Sequence, residues 1–148
     1  MLSISVQPID IEMLLENVKD DGAGATVLFL GTVRNQSEGY AVSAIYYEAY
    51  VRMAEEAMAK IEADALKRWN LKRFAASHRI GKLKIGEVSV AIGVSSEHRA
   101  EAFEAGQYAI DRIKSEVPIW KKEMTGNGSS IWAEGTQLGG GLTRFGDV

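Results

Sequence analysis

The chain has 148 residues and no cysteine, and its 17 Lys and Arg against 20 Asp and Glu give a formal net charge of −3. That length suits one domain able to bury roughly two-thirds of its unfolded surface. The missing cysteine excludes disulfides, thiolate zinc sites, iron–sulfur clusters and a cysteine nucleophile, while two histidines argue against a His-rich metal site and the charge lacks a nucleic-acid binder's basic excess.

In chain order, residues 2–6 read as a short strand ended by Pro8. Asp10 reads as the N-cap of a helix in which Ile11, Leu14, Leu15 and Val18 recur at helical spacing; Gly22 and Gly24 punctuate its end. Residues 25–33 read as a strand apolar on both faces, which places it inside a sheet. Residues 35–39 read as a loop and 42–50 as a second strand, and the short join predicts that these two strands pair antiparallel. A helix over 53–69 carries the stripe Ala54, Ala57, Met58, Ile61, Ala65 and Leu66. Strands over 73–80, 82–85 and 87–94 bend at Gly81 and Gly86. Ser95 or Ser96 is expected to cap a helix over 97–114, with Ala102, Phe103, Gly106, Ala109, Ile110 and Ile113 as its core stripe and Pro118 beyond its end. Residues 119–124 and 131–133 read as extended, and Gly139 to Gly141 open a flexible tail.

Most strand-to-strand joins are too short for parallel crossovers. The expected fold is α+β with antiparallel or mixed sheets and about three helices, one domain over 1–138 and a tail over 139–148. No signal-peptide pattern is visible, and the longest apolar stretch, 25–30, is far too short for a bilayer. The expectation is a soluble cytoplasmic protein in which Asn127-Gly128-Ser129 is a turn, not a glycosylation site.

Several cations have the context for chemistry. Lys121 follows Pro118, Ile119 and Trp120, a stiff apolar segment that excludes water, and desolvation turns a lysine into a usable base or nucleophile. Taken alone, that reading and plain packing balance. Lys114 sits at a helix C-terminus, where the helix dipole by itself accounts for a cation. Arg34 stands where a strand meets a loop, which suits an anion, although a solvated loop arginine has the same pattern. His98 and Arg99 lie in the first turn of a helix, against the dipole, and hint at a bound anion. His78-Arg79 reads as a core-edge histidine with a surface arginine, and Lys67, Arg68, Lys72 and Arg73 as a solvated face. Gly22-x-Gly24 precedes a strand, so it is no dinucleotide fingerprint, and there is no Ser–His–Asp spacing, Walker motif or zinc motif. These residues imply a Lys/Arg-lined anion site suited to a phosphorylated small molecule.

Five ordered blocks sharpen this: Phe29-Leu30-Gly31-Thr32-Val33-Arg34; Tyr47-Glu48-Ala49-Tyr50 with Met53-Ala54; His78-Arg79-Ile80-Gly81-Lys82-Leu83; Ser96-Glu97-His98-Arg99 through Ala102-Phe103; and Ile113-Lys114 through Val117-Pro118-Ile119-Trp120-Lys121-Lys122-Glu123. Together they closely resemble the MoaE family, the large catalytic subunits of molybdopterin synthase. The resemblance runs from about Gly22 to Trp132. It implies an α/β-hammerhead fold, a homodimer, and a small ubiquitin-like sulfur carrier on each protomer, giving a heterotetramer. The carrier's C-terminal Gly-Gly, as a thiocarboxylate, would enter a pocket and give two sulfurs to cyclic pyranopterin monophosphate, forming the dithiolene of molybdopterin. It implies no cofactor. Lys114 and Lys121 match the family's catalytic lysines, and Arg34, His98 and Arg99 its substrate-binding residues.

One departure stands out. Some members supply an arginine from the second protomer just after the Trp132 region, where this chain has Trp132-Ala133-Glu134-Gly135; another residue, such as Arg144, would have to substitute, or the site would work with one cation fewer. Two other functions fit the same residues: a non-catalytic dimeric docking module for a ubiquitin-like carrier, and a Schiff-base lysine enzyme using Lys121. Under the sulfur-transfer reading, a chain without cysteine cannot hold sulfur as its own persulfide, so the sulfur must arrive on another molecule's acyl terminus.

Overall fold

The computed structural model describes residues 1–126 and 128–132. The expected tail, the domain boundary at 138, Gly135, Arg144 and the asparagine of the Asn127 sequon lie outside the described residues. In chain order the elements are β1 (Leu2–Ser5), α1 (Ile11–Val18), β2 (Ala25–Thr32), β3 (Gln36–Ser37), β4 (Tyr40–Ala49), α2 (Val51–Arg68), β5 (Leu71–Arg79), β6 (Gly81–Lys84), β7 (Val88–Ser96), α3 (Arg99–Glu116), β8 (Ile119–Thr125) and β9 (Ser130–Trp132). They build two sheets. The first has the order β1-β5-β7-β2, parallel between β1 and β5 and antiparallel elsewhere. The second has the order β3-β4-β8-β9 with β6 also on β4, antiparallel throughout. The expected α+β class with mixed sheets and three helices is what forms.

Helices cover both faces of the first sheet. α1 starts where Asp10 accepts a hydrogen bond from the Met13 N–H at 2.9 Å. Its Leu14 and Val18 pack on Ala75 of β5 and Ala91 of β7. A Cβ at Gly93 would lie 2.8 Å from Leu14 Cδ2, so the glycine is what lets α1 approach β7 this closely. On the other side, Ala54, Met58, Ile61 and Ala65 of α2 and Ala105, Ala109, Ile110 and Ile113 of α3 join the main core.

The structure corrects three details of the sequence reading. β2 does not pair with β4: it pairs with β7 at the edge of the first sheet, while β4 belongs to the second. The reason lies in the join. Glu38 and Gly39 close a two-residue turn that pairs β3 with β4, so the tight connection is used up inside the second sheet and residues 33–35 cross between sheets. Ser95 and Ser96 do not cap α3, because β2 and β5 both pair with the end of β7 and hold those serines in the strand. The N-cap is His98, without a side-chain cap bond; Ser96 Oγ donates instead to the His98 carbonyl at 2.6 Å. Finally, Phe103 and Leu66 point outward, 63% and 44% exposed, and Ala105 takes the inward place on α3.

Candidate active site

The site lies where β8 leaves α3. Pro118 follows Val117, the C-cap of α3, and β8 begins at once at Ile119. β8 pairs with β4 in the register Tyr47↔Lys121 and Ile45↔Glu123. Alternation then turns Ile119, Lys121 and Glu123 inward and leaves Trp120, Lys122 and Met124 partly exposed. Two charged side chains are thus delivered to the interior by period alone.

Lys121 and Glu123 are each 2% exposed, with Nζ 3.6 Å from Oε1. The β3–β4 hairpin completes the carboxylate's surroundings: Ser37 Oγ donates to Oε1 at 3.1 Å and the Tyr40 hydroxyl to Oε2 at 2.8 Å. A cavity of about 10 Å³ beside this group is also lined by Arg34, Thr32 and Gln36. Burial pulls the Lys121 ammonium below the usual lysine range; Glu123 opposes this, and the charges of Lys114 and Arg34 reinforce it. An amine that gives up its proton readily, next to two other cations, can both balance an anion and carry a proton.

Lys114 is half-buried in the last turn of α3. It lines a second cavity of about 20 Å³ with Tyr47, His78, Ile113 and Ile119. Burial pushes the Tyr47 hydroxyl up to about 12, with Ser89 acting against it; among the described residues none meets the hydroxyl at hydrogen-bond distance and angle. His78 is buried, donates from Nδ1 to the Arg79 carbonyl at 2.8 Å, and is pulled down to about 4 by burial, so it is neutral at pH 7. Its ring meets that of Tyr47 edge-on, centroids 5.1 Å apart. The core-edge reading of His78 therefore holds.

The five expected site residues fall in two places. Arg34, Lys114 and Lys121 come together. His98 and Arg99 sit exposed at the opposite end of α3 from Lys114, about 22 Å away at 1.5 Å per residue. There the His98 side chain is 74% exposed, with Nε2 3.5 Å from the Glu97 carboxylate. The His98 side chain makes no cap bond to the first turn of α3, which also carries the acidic Glu101. Glu123, Ser37 and Tyr40 were not picked out from the sequence. For Glu123 a signal existed: it stands two residues after Lys121 on an expected strand, hence on the same face. Among the described residues no cluster of three His, Asp or Glu is arranged to hold a metal, and no helix is long and apolar enough to cross a membrane.

Two sheets, three helices and a buried lysine–glutamate pair flanked by further cations define an α+β domain with a candidate site whose groups could do acid–base work on an anion. The comparisons with known proteins narrow that class. A family model described as MoaE protein matches residues 4–116. The chain is 48% identical over 127 residues to the molybdopterin synthase catalytic subunit of Thermoplasma volcanium, covering 86% of this chain and 90% of that one. It is 39% identical over 140 residues to the human molybdopterin synthase catalytic subunit, covering 90% and 74%. Among solved structures it is similar to molybdopterin synthase from Staphylococcus aureus, with a TM-score of 0.83 and 41% identity over 87% of this chain and 93% of that one. The fold is shared, at 24% identity and a TM-score of 0.73 over 89% of each chain, with a protein–protein complex of subunits 1 and 2 of the Helicobacter pylori molybdopterin-converting factor. The chain belongs to the MoaE family.

Proposed function

We propose that this chain is the catalytic subunit of a molybdopterin synthase, a sulfurtransferase of molybdenum cofactor biosynthesis. It moves sulfur from the thiocarboxylated C-terminus of a small ubiquitin-like carrier to cyclic pyranopterin monophosphate, forming the molybdopterin dithiolene. The observation that carries this reading is the buried Lys121, its proton loosened by burial and by Lys114 and Arg34. Lys121 and Lys114 balance the thiocarboxylate and move protons during ring opening and sulfur addition. Arg34 holds the anionic substrate at the mouth of the site. The outer face of the second sheet supports a docked protein partner: Tyr46 and Trp132 are 43% and 54% exposed, and Lys122 Nζ lies 4.8 Å above the Trp132 ring.

His98 and Arg99 fit the same substrate only through a second copy of the chain. In a homodimer the N-terminus of one protomer's α3, with these two cations, would meet the substrate phosphate at its partner's lysines. Mixing inactive Arg99→Ala with inactive Lys114→Ala chains tests this. Hybrid dimers regain activity if the two residues act across the interface, and gain none if each site is built from one chain.

The whole reading is tested by combining the purified chain, thiocarboxylated carrier and cyclic pyranopterin monophosphate. Molybdopterin forms, and replacing the carrier by free sulfide gives none. Equal turnover with free sulfide contradicts the proposal.

A further inference from the structure

The β3–β4 hairpin lays two hydroxyls over the buried pair, and the chemistry proposed above leaves both unused. Its turn residues Glu38 and Gly39 have φ of 45° and 87°, the two positive values of a turn whose twist suits a tight hairpin. That turn sets Ser37 directly opposite Tyr40, so both side chains leave the hairpin on one face. They meet Glu123 of β8, one on each carboxylate oxygen, at 3.1 and 2.8 Å. With both oxygens engaged, the carboxylate stays 3.6 Å from Lys121 Nζ. That is longer than the roughly 2.7–2.9 Å of a charge-assisted N–H···O bond.

We propose that Ser37 and Tyr40 are positioning residues of the sulfur-transfer site: by holding the Glu123 carboxylate away from Lys121, they keep the ion pair long and the lysine's proton exchangeable. The inference rests on the proposed function for the use made of that proton, not for the geometry. Among the described residues, the charged and titratable groups around Lys121 include Glu123 on its own strand, Lys114 from α3, Arg34 from the segment after β2, and Tyr40 and Tyr47 from β4. Of the charges among them, only Glu123 favours the ammonium. A closer approach of Glu123 therefore makes Lys121 keep its proton more firmly, against the burial that loosens it. Removing the Tyr40 hydroxyl frees Oε2, and the carboxylate turns toward the lysine. Closing the gap to about 2.8 Å, at an effective dielectric of about 20, strengthens the attraction by about one pH unit of lysine titration. At a fixed pH below that titration the neutral amine becomes about tenfold rarer.

The test is the titration of Lys121 in the full chain, followed by heteronuclear NMR of lysine-labelled protein, its signal assigned by its loss in Lys121→Met. Tyr40→Phe raises the Lys121 titration by about one unit. Ser37→Ala raises it less, and Ser37→Thr, which keeps a hydroxyl, leaves it at the wild-type value. In turnover with the carrier, the limb that rises with lysine deprotonation moves to higher pH by the same amount, while KM for the pyranopterin is unchanged. If Tyr40→Phe and Ser37→Ala lower only the melting temperature and Lys121 titrates as in wild type, the hydroxyls are merely structural and the proposal is overturned. If the titration moves as expected but the wild-type chain transfers no sulfur, the positioning role stands and the sulfur-transfer reading falls.

Discussion

The two sheets handle burial in opposite ways. In the first, β7 lies between β5 and β2 with helices on both faces, and it is buried from Ser89 through Ser96. Its interior side chains are Val90, Ala91, Ile92 and Val94, with uncharged serines among them, of which Ser89 donates to the Gly31 carbonyl of β2 and Ser96 to the His98 carbonyl. In the second, β8 alternates buried and partly exposed positions, and two of its buried side chains are Lys121 and Glu123. A sheet covered on both faces offers a charge no route to water, and isolating one there costs many kcal/mol. A sheet covered on one face can hold charged groups a few ångströms from solvent and still partner them. The first sheet is thus the scaffold, and the second, with the last turn of α3, holds the proposed site.

The largest effect expected from breaking this contrast is on the buried pair. Glu123→Ala leaves Lys121 without its counter-ion and removes the acceptor for Ser37 and Tyr40, at a cost of about 3–5 kcal/mol in denaturant unfolding. Lys121→Met costs clearly less, because Glu123 keeps two hydroxyl donors. Equal losses would mean that the hairpin does not support the carboxylate. In the scaffold sheet, Leu14→Ala opens a cavity under α1 and costs about 3 kcal/mol, with kcat unchanged once the chain is folded. A change in kcat at full folding would show that the two sheets are not separable.

His78 sharpens the contrast through pH, since it is buried with a backbone partner but no counter-ion. Folded it titrates near 4, against 6.5 for an unperturbed histidine, so between these values the unfolded chain binds the extra proton. Stability is full above about pH 6.5 and falls as pH drops toward 4, by about 3 kcal/mol from this group. In His78→Asn that part of the acid-induced loss disappears from urea midpoints measured against pH. The smallest effect is at Phe103: exposed on α3, its change to Ser shifts stability by less than about 0.5 kcal/mol. A loss of several kcal/mol would restore it to the core stripe that its spacing suggested.

What the sequence revealed and what it hid follow from the range of the forces involved. Asp10, the spacing of α1 and the stop at Pro118 act within a few residues, and all three appear as expected. The pairing of β2 with β7 depends on a partner some sixty residues away, and no local pattern separates it from pairing with β4. Phe103 fitted a helical stripe because spacing marks a face without saying how far the neighbouring elements extend over it. Lys121 was legible from the stiff apolar run before it. Its partners Ser37 and Tyr40 were not, because a short polar hairpin looks like any loop until β4 and β8 are in register. That His98 and Arg99 stand apart from Lys114 was legible as well, since the expected helix over 97–114 already put them at its two ends.

The central claim is that the cations gathered at the end of α3 and on β8 carry out sulfur transfer. The most direct measurement is single-turnover formation of molybdopterin from cyclic pyranopterin monophosphate and thiocarboxylated carrier, comparing wild type with Lys114→Ala. The half-buried lysine lies beside the core without being part of it, so the variant should fold, keep its melting temperature and bind the carrier. The account predicts that product formation falls at least about a hundredfold. Undiminished turnover by the folded Lys114→Ala chain would contradict it.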